Sequence, residues 1–157
     1  MNKRGVTLLE LIIVFVIIAI MAAFLAPGIG SWLPRYRLRS ATRDVVSTMR
    51  TAQIRAISSP FSSASTPFVY TVDFTAGTSY VLYHNTGNAP PIYDGVPQSL
   101  PSGVAMNTAA LPNAIATFNR DATCSGGSIT LSYQKNGVTM DQKGILLNPA
   151  TGKITIQ

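Results

Sequence analysis

The chain has 157 residues, enough for one ordinary domain, and a formal net charge of +6. Its one cysteine, Cys124, excludes an internal disulfide. The apolar fraction of 46% is high for a soluble protein of this size, and the excess is concentrated near the amino terminus.

The segment from Val6 to Ala26 is apolar at every position except Thr7 and Glu10. As a helix rising 1.5 Å per residue, this run would extend roughly 32 Å, enough to cross a bilayer core. We therefore expect residues 6–26 to form a transmembrane helix. Lys3 and Arg4 precede the run, so the positive-inside rule places the amino terminus in the cytoplasm and the bulk of the chain outside.

Three kinds of amino-terminal segment fit an apolar run of this sort. A secretory signal peptide would have a shorter apolar region, although Ala22, Ala23 and Ala26 could imitate its cleavage site. A plain signal anchor needs no carboxylate, yet Glu10, the only glutamate, lies inside the run. Because a carboxylate in a span costs roughly 2.5–3.5 kcal/mol, it usually has a partner. The third kind is an anchor that is cleaved just before its apolar run. Cleavage after Gly5 would supply a partner for Glu10, the new amine of Val6, at the same membrane depth.

The nonapeptide from Lys3 to Leu11, KRGVTLLEL, resembles the class III signal of type IV prepilins and pseudopilins. The resemblance implies that a prepilin peptidase cuts after Gly5 and that Val6 becomes the N-methylated first residue. It assigns Glu10 to neutralising a neighbour's amino terminus during assembly. It further implies partners: other filament subunits through the amino-terminal helix, and an inner-membrane assembly platform. Val6 departs from the pattern, since the family usually has phenylalanine there.

Beyond Pro34 the apolar residues recur every three or four positions, as expected for an amphipathic helix that packs on a sheet. The predicted buried stripe comprises Leu38, Ala41, Val45, Met49, Ala52 and Ala56. We expect this helix to continue from the membrane to about Ser58, with Pro27 and Pro34 producing a kink or a melted turn rather than its end. Pro27 also matches a helix-distorting proline that is common in the resembled family.

Arginines crowd this second part of the helix, and Asp44 is the one acid among them. The arginines are Arg35, Arg37, Arg39, Arg43, Arg50 and Arg55. Such a segment could contact anionic lipid or nucleic acid, or it could be a solvated helix face. Sequence alone leaves these alternatives open.

The carboxy-terminal part has the short alternating segments of β-strands. Strands are expected at residues 68–74, 79–84, 103–106, 114–119, 128–134, 138–147 and 153–156, with turns at 76–77, 136–137 and 150–152. Residues 58–67 are rich in serine and are predicted to be a linker. The expected fold class is α+β: one long helix on an antiparallel β head of six or seven strands. The predicted segments are a leader at 1–5, a span at 6–26, the helix continuation at 27–58 and a periplasmic head at 59–157.

The glycine-bounded strands of the last forty residues resemble the head of H-type minor pseudopilins of type II secretion and of FimT-like minor pilins. The residues that carry this resemblance are Phe118–Arg120, Gly127–Leu131, Gly144–Leu147 and Gly152–Ile156. It implies a minor subunit, although a major pilin is also compatible with the sequence.

No catalytic residue, metal site or cofactor is expected. His84 and Cys124 are single residues of their types, each flanked by segments that suit a surface or half-buried position. Asp94 and Asp121 could contribute to a calcium site, but aspartates in turns more often cap the local backbone. The sequence has no clustered metal ligands and no phosphate-binding loop.

The predicted function is therefore that of an inner-membrane filament subunit. Three forms remain: a minor pseudopilin of type II secretion, a minor type IV pilin that primes assembly, and a DNA receptor for transformation. DNA affinity scales with the phosphates neutralised, and the tail after Gly152 offers one lysine, Lys153. Little nucleic-acid binding is expected, and secretion or general assembly is favoured.

Overall fold

A computed structural model describes residues 7–59, 68–74, 77–86 and 89–157, with the backbone alone given for residues 25–31. The chain forms two compact units, Met1–Pro34 and Arg35–Gln157. We call the second the head unit. The helix α1 (Leu8–Ser58) belongs to both, and its assignment is unbroken at Pro27 and Pro34. The prediction that neither proline ends the helix is confirmed, and no melted turn interrupts it.

The head unit contains nine antiparallel strands within the described residues, in two sheets. The strands are β1 (Phe68–Asp73), β2 (Ser79–Thr86), β3 (Ile92–Tyr93), β4 (Gln98–Ser99), β5 (Val104–Asn107), β6 (Ile115–Phe118), β7 (Gly127–Lys135), β8 (Val138–Leu147) and β9 (Ile154–Ile156). The first sheet has the order β3-β2-β1-β6, with β4 also pairing with β2, and the second has the order β5-β7-β8-β9. The predicted α+β class, a long helix with an antiparallel β head, is confirmed.

All six residues of the predicted helical stripe are buried, each at most 1% exposed. They share one core with side chains from both sheets, including Val72 and Phe118 from the first and Ile129 and Ile145 from the second. The periodicity of 3.6 was sufficient to find this face because the helix has a single buried side in the head unit. Arg39, Arg43 and Arg50 lie on the exposed side, as the same pattern predicts.

The hairpin between β7 and β8 follows directly from its turn residues. Lys135 pairs with Val138, which leaves a two-residue loop. Asn136 and Gly137 have φ angles of 53° and 78°, and a type I′ turn requires a positive φ at both positions. The predicted turn at 136–137 is therefore confirmed.

The described part of the segment between β2 and β6 contains the three short strands β3, β4 and β5. One short strand was expected near 103–106 and is present as β5, but β3 and β4 were missed. Each has two residues that pair with β2 at the sheet edge, too few to create an alternating pattern. Of the predicted linker at 58–67, Ser58 ends α1 and Ser59 is buried, while residues 60–67 lie outside the described residues.

The first prediction is that a shortened chain beginning at Ser31 folds without the apolar segment. Among the described residues, every member of the hydrophobic core lies within the head unit, so the truncation should leave this core intact. The shortened chain should be soluble, monomeric and of mixed α/β content by circular dichroism, with cooperative thermal unfolding. Aggregation of this chain, with the full-length protein well behaved in detergent, would show that the amino-terminal segment is part of the folding unit.

A second prediction concerns the turn between β8 and β9, where α1 is tied to the sheet. Gln53 Nε2 donates to the Gly152 carbonyl oxygen at 3.1 Å. Gly152 has a φ of 60°, and an added Cβ would collide with the Ala122 carbonyl oxygen and lie 2.7 Å from Gln53 Nε2. We expect Gly152→Ala to lower the free energy of unfolding by about 2–4 kcal/mol, measured by urea denaturation of the shortened chain.

Gly137→Ala is the matched control for Gly152→Ala. Gly137 also has a positive φ, but no other group lies within 4 Å of the position that an added Cβ would occupy. It should lose only the conformational contribution, about 1–2 kcal/mol. Equal losses in the two variants would mean that the close approach at Gly152 is not a packing constraint.

Candidate functional site

The described chain begins with a capped helix end that contains the predicted assembly residue. Thr7 Oγ1 accepts the Glu10 backbone N–H at 3.3 Å, and the Thr7 carbonyl oxygen accepts the Leu11 N–H at 3.3 Å. Thr7 is therefore the N-cap of α1. The spacing Thr7-x-x-Glu10 matches the capping-box pattern and would have predicted the cap.

Glu10 lies in the first turn of α1 and its side chain is exposed. An acidic residue in the first turn lies near the positive end of the helix dipole, a position that stabilises the helix. The cap uses the backbone N–H of Glu10, so the carboxylate remains available for a contact outside this turn. Gly5 and Val6, on either side of the predicted cut, lie outside the described residues, as does the leader at 1–5.

The helix after Glu10 exposes apolar side chains in all directions. The large apolar residues between Leu8 and Phe24 are 50–81% exposed. A helix that is apolar all round needs an apolar environment, either other helices or lipid. Within the part of the chain that the structure describes, no helix is both long and apolar enough to cross a membrane.

Two arginines of the helix, Arg37 and Arg55, contact other segments of the head unit. Arg37 Nη1 donates to the Ser102 hydroxyl at 3.1 Å and to its carbonyl oxygen at 3.3 Å. Arg55 Nη1 lies 3.4 Å from Asp94 Oδ2. The acid that pairs with Arg55 is therefore Asp94, far along the chain. Asp44, the one acid among the arginines in the sequence, accepts a hydrogen bond from the Ser40 hydroxyl at 3.5 Å.

Asp94 is the centre of a small polar network that joins the helix to the first sheet. Its Oδ1 lies 3.0 Å from His84 Nδ1, and the His84 ring stacks on Tyr70 with centroids 5.2 Å apart. Nothing in the sequence indicates this network, because His84, Asp94 and Arg55 come from separate elements. Nearby, Tyr80 donates to Gln98 at 2.8 Å, and burial raises the pKa of the Tyr80 hydroxyl above its ordinary value.

The residues considered for chemistry are occupied by structural contacts. Cys124 is buried and its Sγ donates to the Asn148 carbonyl oxygen at 3.2 Å. No described contact joins Cys124 to His84. Asp121 accepts the Thr123 N–H and hydroxyl at 3.0 and 2.6 Å, and these bonds lower the pKa of its carboxyl group. No group of three or more histidine, cysteine or acidic residues suited to a metal occurs within residues 7–59, 68–74, 77–86 and 89–157.

Comparison with known families gives one match. Residues 1–26 match the family model described as the prokaryotic N-terminal methylation motif. No curated protein and no solved structure matches the chain. The matched segment contains the predicted cut, Glu10 and the exposed apolar helix. Together with the α+β fold, it supports placing the chain among type IV pilin-like subunits of pili and pseudopili.

Proposed function

We propose that this protein is a single-pass inner-membrane precursor that matures into a minor subunit of a type II secretion pseudopilus. The observation that carries the proposal is one helix with two different surfaces. Its first part exposes apolar side chains all round, whereas its second part buries one stripe in the head unit. The first part suits a bilayer before assembly and a bundle of helices after it. The head unit then remains in the periplasm.

The choice of a minor subunit over a major pilin is supported by the head. The three glycine-bounded segments that resemble H-type heads are neighbours in one sheet, as parts of β7, β8 and the β8–β9 turn with β9. The DNA-receptor alternative receives less support because Lys153 is the one cation after Gly152. A minor type IV pilin that primes assembly shares all of these features. It differs in belonging to a pilus system and not to a secretion system.

The proposed assembly contact joins Glu10 of one subunit to the Val6 amine of its neighbour. A charged amine that enters a bundle of apolar helices is costly when unpaired, whereas a paired one approximately breaks even. The exposed Glu10 carboxylate in the first helical turn is suited to this role. The same attraction would fix the stagger between successive subunits.

Processing is the third prediction. Cleavage between Gly5 and Val6, with methylation of the new amine, should be visible by mass spectrometry of the membrane form. Gly5→Leu should block the cut, because the peptidase must accept a residue almost without side chain beside the scissile bond. Expression in a peptidase-negative host is the control. An intact Met1 terminus in a peptidase-positive host would contradict the proposal.

The fourth prediction is that Glu10→Gln impairs assembly but not insertion or cleavage. Removing a charge from a span eases insertion, and the cap is kept because it uses the Glu10 backbone. Leaving the neighbour's amine unpaired costs about 3–5 kcal/mol, so incorporation into filaments should fall at least roughly tenfold. Incorporation is measured by immunoblotting of sheared or purified filaments.

Glu10→Asp is the matched control, since it keeps the carboxylate and should retain much of the assembly. A tip subunit with no neighbour above it would depend less on Glu10, so crosslinking to adjacent subunits should accompany the assembly measurement. Normal incorporation of Glu10→Gln with unchanged crosslinks would show that Glu10 is not the assembly contact.

A further inference from the structure

The strand β9 is an edge of the second sheet, and within the described residues it pairs on one side only, with β8. Gly144 and Gln157 exchange both of their backbone hydrogen bonds, at 3.2 and 2.8 Å. Because successive residues of an antiparallel strand direct their backbone groups to opposite sides, those of Ile154 and Ile156 point away from β8. Among the described residues, no other backbone segment bonds to them. This edge therefore offers N–H donors and carbonyl acceptors to a further strand.

Two concavities lie beside this edge, between β9 and the exposed side of α1. Their volumes are about 360 and 320 Å³, and they form one surface because Arg43 and Ile156 border both. Ile54 and Ile156, 65% and 46% exposed, give this surface apolar area that a partner can cover. The cations that border it are Arg39, Arg43, Arg50 and Lys143. We call it the basic groove.

The basic groove has an unbalanced charge. Among the described residues, no acidic side chain borders either concavity. Among the described contacts, none of the four groove cations makes an ion pair or a side-chain hydrogen bond. Cations held on a helix and a sheet without a counter-charge create a positive potential that favours an anionic partner.

The cations lie on the side of the sheet edge that an added strand would face with every second residue. Ile145 is fully buried in the core, and Ile156 pairs with it, so both point to the core side of the sheet. Lys143 precedes Ile145 by two positions and shares that side. A strand added to β9 would direct alternate side chains to the same side, where Arg43 and Arg50 border the groove.

We propose that the basic groove binds an extended acidic segment of another protein, which adds a strand to β9. Main-chain hydrogen bonds to Ile154 and Ile156 supply affinity, and carboxylates at alternate positions meet the groove cations and supply specificity. The inference goes beyond the proposed function, because it concerns the head unit alone and does not depend on assembly into a filament.

Other occupants account for fewer of these features. Nucleic acid would satisfy the cations, but it has no peptide backbone to pair with the edge of a sheet. A second copy fits poorly, because no two of the six acidic residues of this chain lie close together in sequence. Charged side chains at a sheet edge also discourage pairing between identical copies.

Binding is tested with the full chain in a non-ionic detergent and a short peptide, blocked at both ends, that alternates threonine with aspartate. Threonine favours the extended conformation, and the aspartates then share one face. We expect binding in fluorescence anisotropy that weakens as added salt shortens the Debye length. The amide protons of Ile154 and Ile156 should also exchange more slowly when the peptide is bound, as measured by nuclear magnetic resonance, because they gain acceptors in the added strand.

Two control peptides separate charge from strand addition. The first has asparagine in place of aspartate, which keeps the shape and removes the carboxylates. The second keeps the aspartates but carries N-methyl groups on the amides that would face β9, so it cannot donate hydrogen bonds to this edge. Each should bind at least about fivefold more weakly than the parent peptide, and the second should not protect the Ile154 and Ile156 amides.

Arg43→Gln with Arg50→Gln tests the charge of the groove. Loss of two exposed ion pairs should weaken peptide binding by about fivefold. Lys135→Gln with Lys153→Gln is the matched control, because it removes the same charge at exposed residues that do not border the groove. This control should keep the affinity of the parent chain.

Ile156→Pro tests the open edge. Proline removes the N–H that points away from β8 and places its ring there, and edge strands accept proline at such positions. Peptide binding should weaken by at least about fivefold. Ile156→Ala is the matched control, because it shortens the side chain but keeps the N–H, and it should lose less affinity. Circular dichroism checks that each variant is folded, and the N-methylated peptide tests strand addition without altering the protein.

Several outcomes would overturn the inference. Absence of binding at about 1 mM aspartate peptide, a concentration that detects even weak association, would exclude an acidic strand partner. Equal binding of the asparagine peptide would remove the role of the cations, and equal binding of the N-methylated peptide would remove strand addition. Tighter binding of a short DNA duplex, lost in Arg43→Gln with Arg50→Gln, would assign the groove to nucleic acid. Dimerisation in detergent that is lost in Ile156→Pro would assign the edge to a second copy.

Discussion

The first part of α1 exposes large apolar side chains all round, and this constraint determines the surroundings that the helix needs. From Leu8 to Phe24 its large side chains are at least half exposed, so the segment requires lipid or other helices around it. Helix association in an apolar medium gains little from the hydrophobic effect and depends on packing and polar pairs. Glu10 is the one carboxylate in this stretch, which makes it the natural source of such a pair.

In the head unit, the same helix buries one face and leaves the other exposed. Its stripe from Leu38 to Ala56 is buried against both sheets. Hydrogen bonds and an ion pair also connect the helix to the surrounding loops. Arg37 bonds to Ser102, Arg55 pairs with Asp94, and Gln53 bonds to Gly152. Each of these contacts joins the helix to a segment far away in sequence. The helix is therefore both the anchor of the proposed filament and the central element of the head.

Much of this fold could be predicted from sequence because its signals are local. The helical stripe follows from a period of 3.6 residues, and the β7–β8 hairpin follows from Asn136-Gly137. The contacts that could not be predicted are those set by tertiary structure, such as the approach of His84 to Asp94 and the two-residue strands β3 and β4. In the amino-terminal site, the N-cap at Thr7 could have been predicted from the spacing Thr7-x-x-Glu10. The partner of the Glu10 carboxylate could not, because the proposed contact lies between two subunits.

In the proposed filament, Glu10 holds the amino terminus of the adjacent subunit. This contact would be visible in a high-resolution cryo-electron microscopy map of filaments that contain the subunit. We expect the Val6 nitrogen of one subunit within about 4 Å of the Glu10 carboxylate of its neighbour, the distance of an ion pair. A map in which Glu10 contacts water or its own subunit, with the neighbouring amine elsewhere, would contradict the proposed contact.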